Sequence, residues 1–138
     1  YFKSLSTLGS TIYKKLAWSK KDKLEERNVV YKAPSSDCDT IYVGQTQRSL
    51  KIRGTEHSDA IKANKSGEKQ LALVNHCVRS QHSFEIANME VIDRENRESL
   101  RKVKETMHIS AQPRACNTME YSKRISEPLL SLCKYIRV

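Results

Sequence analysis

At 138 residues, 38% hydrophobic and 30% charged, the chain is one small domain, or one domain with an appended arm, and collagen-like, low-complexity and bare coiled-coil architectures are excluded. No membrane partner is expected: the longest run free of Asp, Glu, Lys and Arg, Ser4 to Tyr13, is mostly polar, well short of the ~18 apolar residues that cross a bilayer. The excess of 25 Lys and Arg over 16 Asp and Glu, a formal +9, points to a polyanionic partner, nucleic acid by default, with a plain basic surface as the alternative.

The chain begins at Tyr1 rather than Met, which reads as a piece of a longer protein. No apolar h-region of a secretory signal is present, and the four cysteines, at 38, 77, 116 and 133, are widely and irregularly spaced. Reduced thiols in an intracellular protein are expected, one or two of them metal ligands. No Walker loop, HExxH, Rossmann glycine string or GxSxG elbow occurs, so nucleotide hydrolysis, zincin and serine-hydrolase chemistry have no support.

In chain order, residues 1–27 form a basic arm, partly helical, with Leu8, Ile12, Leu16 and Trp18 as its apolar stripe. The β-branched and aromatic run Asn28 to Ala33 predicts a strand, Pro34 to Asp39 a turn, and Thr40 to Gly44 a second strand, together a hairpin. A helix is predicted from Arg48 to about Asn64, stopped by Lys65-Ser66-Gly67, and another from Lys69 to Ser80 with Leu71, Val74 and Val78 at helical spacing. The alternation Phe84, Ile86, Met89, Val91 predicts a third strand over 84–92. A long helix follows from Arg94 to about Ser110, with Leu100, Val103 and Met107 as its stripe, ended by Pro113. The expected fold class is α/β (α+β): a small three-stranded antiparallel sheet flanked by helices over residues 28–120, then a helical tail over 121–138.

On the helix after the hairpin, Leu50, Gly54 and Ile61 share one face at about 100° per residue, and Arg53 and His57 fall on that same face. A charge on a core-facing stripe is costly unless it is paired or lines a cleft; snorkelling at the stripe edge is the plain alternative for Arg53. Tyr31 and Tyr42, on neighbouring strands, and Gly44, at the end of the second, carry little signal singly.

Taken together these residues resemble the GIY-YIG endonuclease domain. Val29-Val30-Tyr31, ten residues, Tyr42-Val43-Gly44 and then Arg53 and His57 reproduce its order, although the first triplet keeps only its tyrosine. The string Tyr42 to Arg53, the following Glu56-His57, and Lys21-Asp22-Lys23-Leu24 ahead of the first strand are most similar to the version in Penelope-like retroelements, C-terminal to the reverse transcriptase. The resemblance covers about residues 21–120.

The resemblance implies a metal-dependent hydrolase that nicks DNA for target-primed integration of a retrotransposon; the alternative is a catalytically inactive nucleic-acid-binding module of the same fold. It implies Mg²⁺ or Mn²⁺ on Glu105, with Glu98 as the rival carboxylate, and an asparagine after the long helix, which Asn117 fits. Arg53 is the implied stabiliser of phosphoryl charge, Tyr31 the base or base partner, and Tyr42 and His57 the groups that position water and phosphate. Gly44, Gln45, Arg48 and Lys51 are the expected DNA contacts. An upstream, covalently linked reverse transcriptase, nuclear localisation in that full-length context, and a second copy for cutting both strands are implied with them. Penelope-type domains also carry two Cys in the hairpin turn and two His beyond; here Cys38, His76 and His82 match, and Ser35 stands where the second Cys is expected. A structural zinc wants four ligands, and Cys77, adjacent to His76, is an awkward substitute. Gly54 departs from the usual aliphatic residue, which implies a weak point in the helix and a gap in the core.

Overall fold

The computed structural model describes residues 23–64, 67 and 71–117; most of the basic arm and the predicted C-terminal tail lie outside the described residues. The fold is α+β, as expected: a three-stranded antiparallel sheet of β1 (Val29–Pro34), β2 (Ile41–Thr46) and β3 (Glu90–Arg94), in the order β2-β1-β3. Helices α1 (Leu50–Lys62) and α2 (Ala72–Ser80) lie between β2 and β3 in sequence, and α3 (Glu98–Ala111) follows β3.

The unbroken apolar run of β1 has a simple cause: the strand is central and covered on both faces. Val29, Tyr31 and Ala33 join Leu50, Leu73 and Phe84 in one core, whereas Val30 joins Val43 and Ile109 in a second beneath α3. The hairpin turn closes through the Ser35 amide on the Thr40 carbonyl (2.9 Å), and the Asp37 carboxylate accepts from both the amide and the hydroxyl of Ser83 (2.6 and 2.9 Å). This ties the turn to the segment after α2.

Three elements differ from their sequence expectation. Residues 84–89 are not strand: Ile86–Asn88 curl into a 3-10 turn, Phe84 keeps only an isolated bridge to Ser35, and β3 starts at Glu90 and runs on through Arg94. The apolar alternation there serves packing onto α1 rather than pleating. In α2 the buried face is Leu73, Val74 and Cys77; of the predicted stripe Val74 is buried, while Leu71 and Val78 are half-buried. In α3 the predicted stripe fails at Leu100, which is 42% exposed; the buried residues are Arg101, Thr106, His108 and Ile109. Polar groups of Asn28, Gln45 and Asp93 face this helix, so its buried positions need hydrogen-bonding side chains as much as apolar ones.

Nor does Gly54 leave a gap. A Cβ there would sit 2.8 Å from Ile86 Cγ2 and 3.0 Å from Met89 Sδ, so the 3-10 turn fills the space an aliphatic side chain would occupy. The outer edge of β2 is also covered. Ile41 pairs with Ala115 in parallel fashion, and the Asn117 side-chain amide accepts from Val43 N–H (2.9 Å) and donates to Val43 C=O (2.7 Å). The last residues of the arm belong to the domain: the Glu26 carbonyl accepts from Leu50 N–H (3.0 Å), its carboxylate grips Arg94, and Leu24 packs on the larger core.

Candidate active site

The register of the hairpin sets Tyr31 opposite Gly44. Tyr42 and Gly44 share one face of β2, so both phenol rings converge over the glycine. A Cβ at Gly44 would come within 2.6 Å of Tyr31 Oη and 2.7 Å of Tyr42 Cε1, which makes glycine a steric requirement. Gly44 is therefore buried beneath the rings rather than presented as a DNA contact.

Helix α1 brings its face to the same place. Ser49 caps it, accepting from the Ile52 amide (3.3 Å), and this fixes the phase that buries Leu50, Gly54 and His57. Tyr31 Oη lies 2.7 Å from His57 Nε2, and the His57 ring is edge-on to Tyr42 and to Phe84. Burial, reinforced by the nearby Arg53 charge, pushes the His57 pKa down to about 4, so the imidazole is neutral at pH 7. Donation from Tyr31 to Nε2 corresponds to the tautomer with its proton on Nδ1. Burial pushes Tyr31 up to about 12 against the lowering influence of Arg53, and raises Tyr42 well above the ordinary phenol value.

Arg53 sits one turn before His57. Its Nη1 donates to Glu56 (3.0 Å), which Arg48 also pairs, and the two cations hold Glu56 below its usual range although burial opposes them. The Arg53 Nε–H is buried and has no hydrogen-bond partner. An unpaired buried donor on a guanidinium, beside two phenols and a neutral imidazole, is a fitting seat for an anionic oxygen.

Glu105 approaches from α3. Burial raises its pKa to about 7, offset in part by the Gln45 backbone amide and the charges of Arg53, Lys102 and Arg101. Its rival, Glu98, lies outside, exposed and paired with Lys102 at 2.8 Å. Arg101, at i, i+4 spacing to Glu105 on the same helix, turns elsewhere: it is buried and donates from Nε to Gln45 Oε1 (2.7 Å). Gln45 thus turns inward, Arg48 engages Glu56, and Lys51 is exposed on the first turn of α1. Asn117, implied as a site residue, instead holds the Val43 backbone of β2 with both ends of its side-chain amide. Arg101 and Ser49 were not singled out in the sequence; the i, i+4 spacing of Arg101 to Glu105 was the signal for the first, and a serine two residues after Gln47 at a helix start for the second.

The expected zinc residues also converge. One ligand atom each from Cys38, His76 and His82 lie within 4.8 Å of one another, with Cys38 Sγ 3.3 Å from His76 Nε2 and His76 Nε2 3.1 Å from His82 Nδ1. Hydrogen bonds from Ser35 and Thr40 lower the Cys38 thiol to about 6, so the thiolate, the form that ligates metals, prevails at neutral pH. Cys77 points into the core beside Leu73 and is no part of this group.

No family model, curated protein or solved structure matches the chain. Among the described residues no helix is long and apolar enough to cross a membrane.

Proposed function

We propose that the chain is a metal-dependent DNA endonuclease of the GIY-YIG type. The observation that carries this reading is the convergence of Tyr31, His57 and the unpaired Nε–H of Arg53, with Glu105 close enough for its charge to act on both tyrosines. A phenol pushed up to about 12 is a poor base by itself. Its bond to a neutral imidazole supplies the missing step: Tyr31 takes a proton from the attacking water as it passes its own to His57 Nε2. Arg53, a cation that cannot deprotonate, donates from Nε to a phosphoryl oxygen as charge develops there. Tyr42 packs against His57 and keeps its ring in place.

Glu105 fits a hard divalent cation, because it offers oxygen from a half-buried carboxylate whose burial already disfavours the unpaired anion. Mg²⁺ or Mn²⁺ bound there would supply Lewis-acid stabilisation of the leaving oxygen. Cys38, His76 and His82 offer the soft thiolate and imidazoles that suit Zn²⁺, as a separate structural site joining the hairpin turn to α2.

On this reading the substrate is DNA, nicked in the integration of a Penelope-like retroelement. The reverse transcriptase would be joined upstream, the setting nuclear, and pairing of copies would serve double-strand cutting. The formal charge of +9 and the exposed Lys51 beside the site suit a phosphate backbone. The test is nicking of supercoiled plasmid with Mg²⁺ or Mn²⁺ by the wild type, Arg53→Ala and Glu105→Ala. Metal-dependent nicking lost in both variants supports the assignment. A folded wild type that binds DNA in a salt-sensitive manner without nicking it would be the inactive module instead.

A further inference from the structure

The geometry points to Arg101 as a positioning residue that, by gripping Gln45, fixes strand β2 against helix α3 one turn before Glu105 and so sets where that carboxylate sits. This rests on the nuclease reading, in which Glu105 carries the divalent cation. Arg101 is 1% exposed, among the largest fully buried side chains described. Its Nε donates to Gln45 Oε1 at 2.7 Å, and its Nη1 to Asn28 Oδ1 (3.3 Å), Glu95 O (3.0 Å) and Asn96 O (3.4 Å). These acceptors come from β2, from the residue before β1 and from the β3–α3 connection, and all are uncharged.

A guanidinium buried among neutral acceptors is an expensive way to fill a helix position that leucine or methionine could occupy. What the arrangement achieves is local. Glu105 lies one helical turn on, within the reach of the Arg101 charge and beside the Gln45 backbone. Gln45 is therefore held through its side-chain carbonyl by a residue of α3. Strand β2 and helix α3 are locked in one register around the carboxylate, much as outer-shell partners orient metal ligands elsewhere.

The test uses the 138-residue chain and Mn²⁺ as the probe, with free Mn²⁺ read by electron paramagnetic resonance and nicking followed against Mn²⁺ concentration. Wild type, Glu105→Gln, Arg101→Lys, Arg101→Met and Gln45→Met are compared, with thermal unfolding measured for each. Gln45→Met keeps the amide and removes only the acceptor of Arg101, so it decides the matter even where Arg101→Met does not fold. The expected result is a roughly 10-fold or larger rise in half-saturating Mn²⁺ for Gln45→Met and Arg101→Met, with a smaller change in the rate at saturating metal, and partial recovery in Arg101→Lys. Lowered melting with unchanged half-saturating Mn²⁺ in Gln45→Met and Arg101→Lys would reduce Arg101 to a structural staple and overturn the inference alone. Equal Mn²⁺ binding by wild type and Glu105→Gln would overturn the metal role of Glu105, and the inference with it.

Discussion

His57 and Glu105 respond oppositely to burial, and their opposition is measurable. His57 falls to about 4 from an ordinary value near 6.5, so between those values the unfolded chain binds the proton more tightly; the histidine's contribution to stability is present above pH 6.5 and is lost as pH falls toward 4, on the order of 3 kcal/mol at full protonation. Glu105 rises to about 7 from 4.5, so its contribution is greatest at low pH and is lost as pH rises through 7. In EDTA the wild type should show a shallow stability profile from pH 4.5 to 6.5, because the two slopes cancel. Urea unfolding of Glu105→Gln should uncover a steep loss on acidification, and of His57→Asn a loss on raising pH toward 7. A flat profile in both variants would contradict these assignments. At Gly44 the expectation is steric: Gly44→Ala should displace the phenols and abolish nicking while leaving secondary structure by circular dichroism intact.

Among the elements, α1 and the 3-10 turn form a fitted pair. An alanine in a helix interior ordinarily gains up to about 1 kcal/mol over glycine, but overpacking a filled core costs about 1–3 kcal/mol. With Ile86 Cγ2 at 2.8 Å the second effect wins, so Gly54→Ala should lower the denaturation midpoint rather than raise it. For the edge of β2, Asn117→Ala removes two hydrogen bonds to the Val43 backbone and should cost about 1–3 kcal/mol in urea unfolding, with nicking weakened through the strand. Leu100→Glu, on the exposed side of α3, should stay within about 0.5 kcal/mol of wild type by the same measurement. The existence of the three helices was legible because apolar spacing and breaker residues act locally. The buried face of α3 was not, since Arg101 and His108 are buried only by virtue of Gln45, Asn28 and Asp93, which are remote in sequence.

For the molecule as a whole, the Cys38, His76 and His82 group joins the hairpin turn to the α2 region across nearly forty residues of sequence. Stoichiometric Zn²⁺ should raise the melting temperature of the apo-protein, and Cys38→Ala should remove that shift; an equal shift in the variant would place the metal elsewhere. By contrast, composition, charge, the hairpin, the helices and the order Tyr31, Tyr42, Arg53, His57 could all be read along the chain. Turn chemistry, helix caps and apolar periodicity depend on neighbours a few residues apart. The tertiary structure alone decided that Ile86 curls onto Gly54 instead of extending β3, that Tyr31 pairs with a neutral His57, and that Arg101 turns to Gln45 rather than to Glu105. Each of these depends on what burial does to a polar or bulky group once distant segments meet, and desolvation and close packing have no local sequence signature.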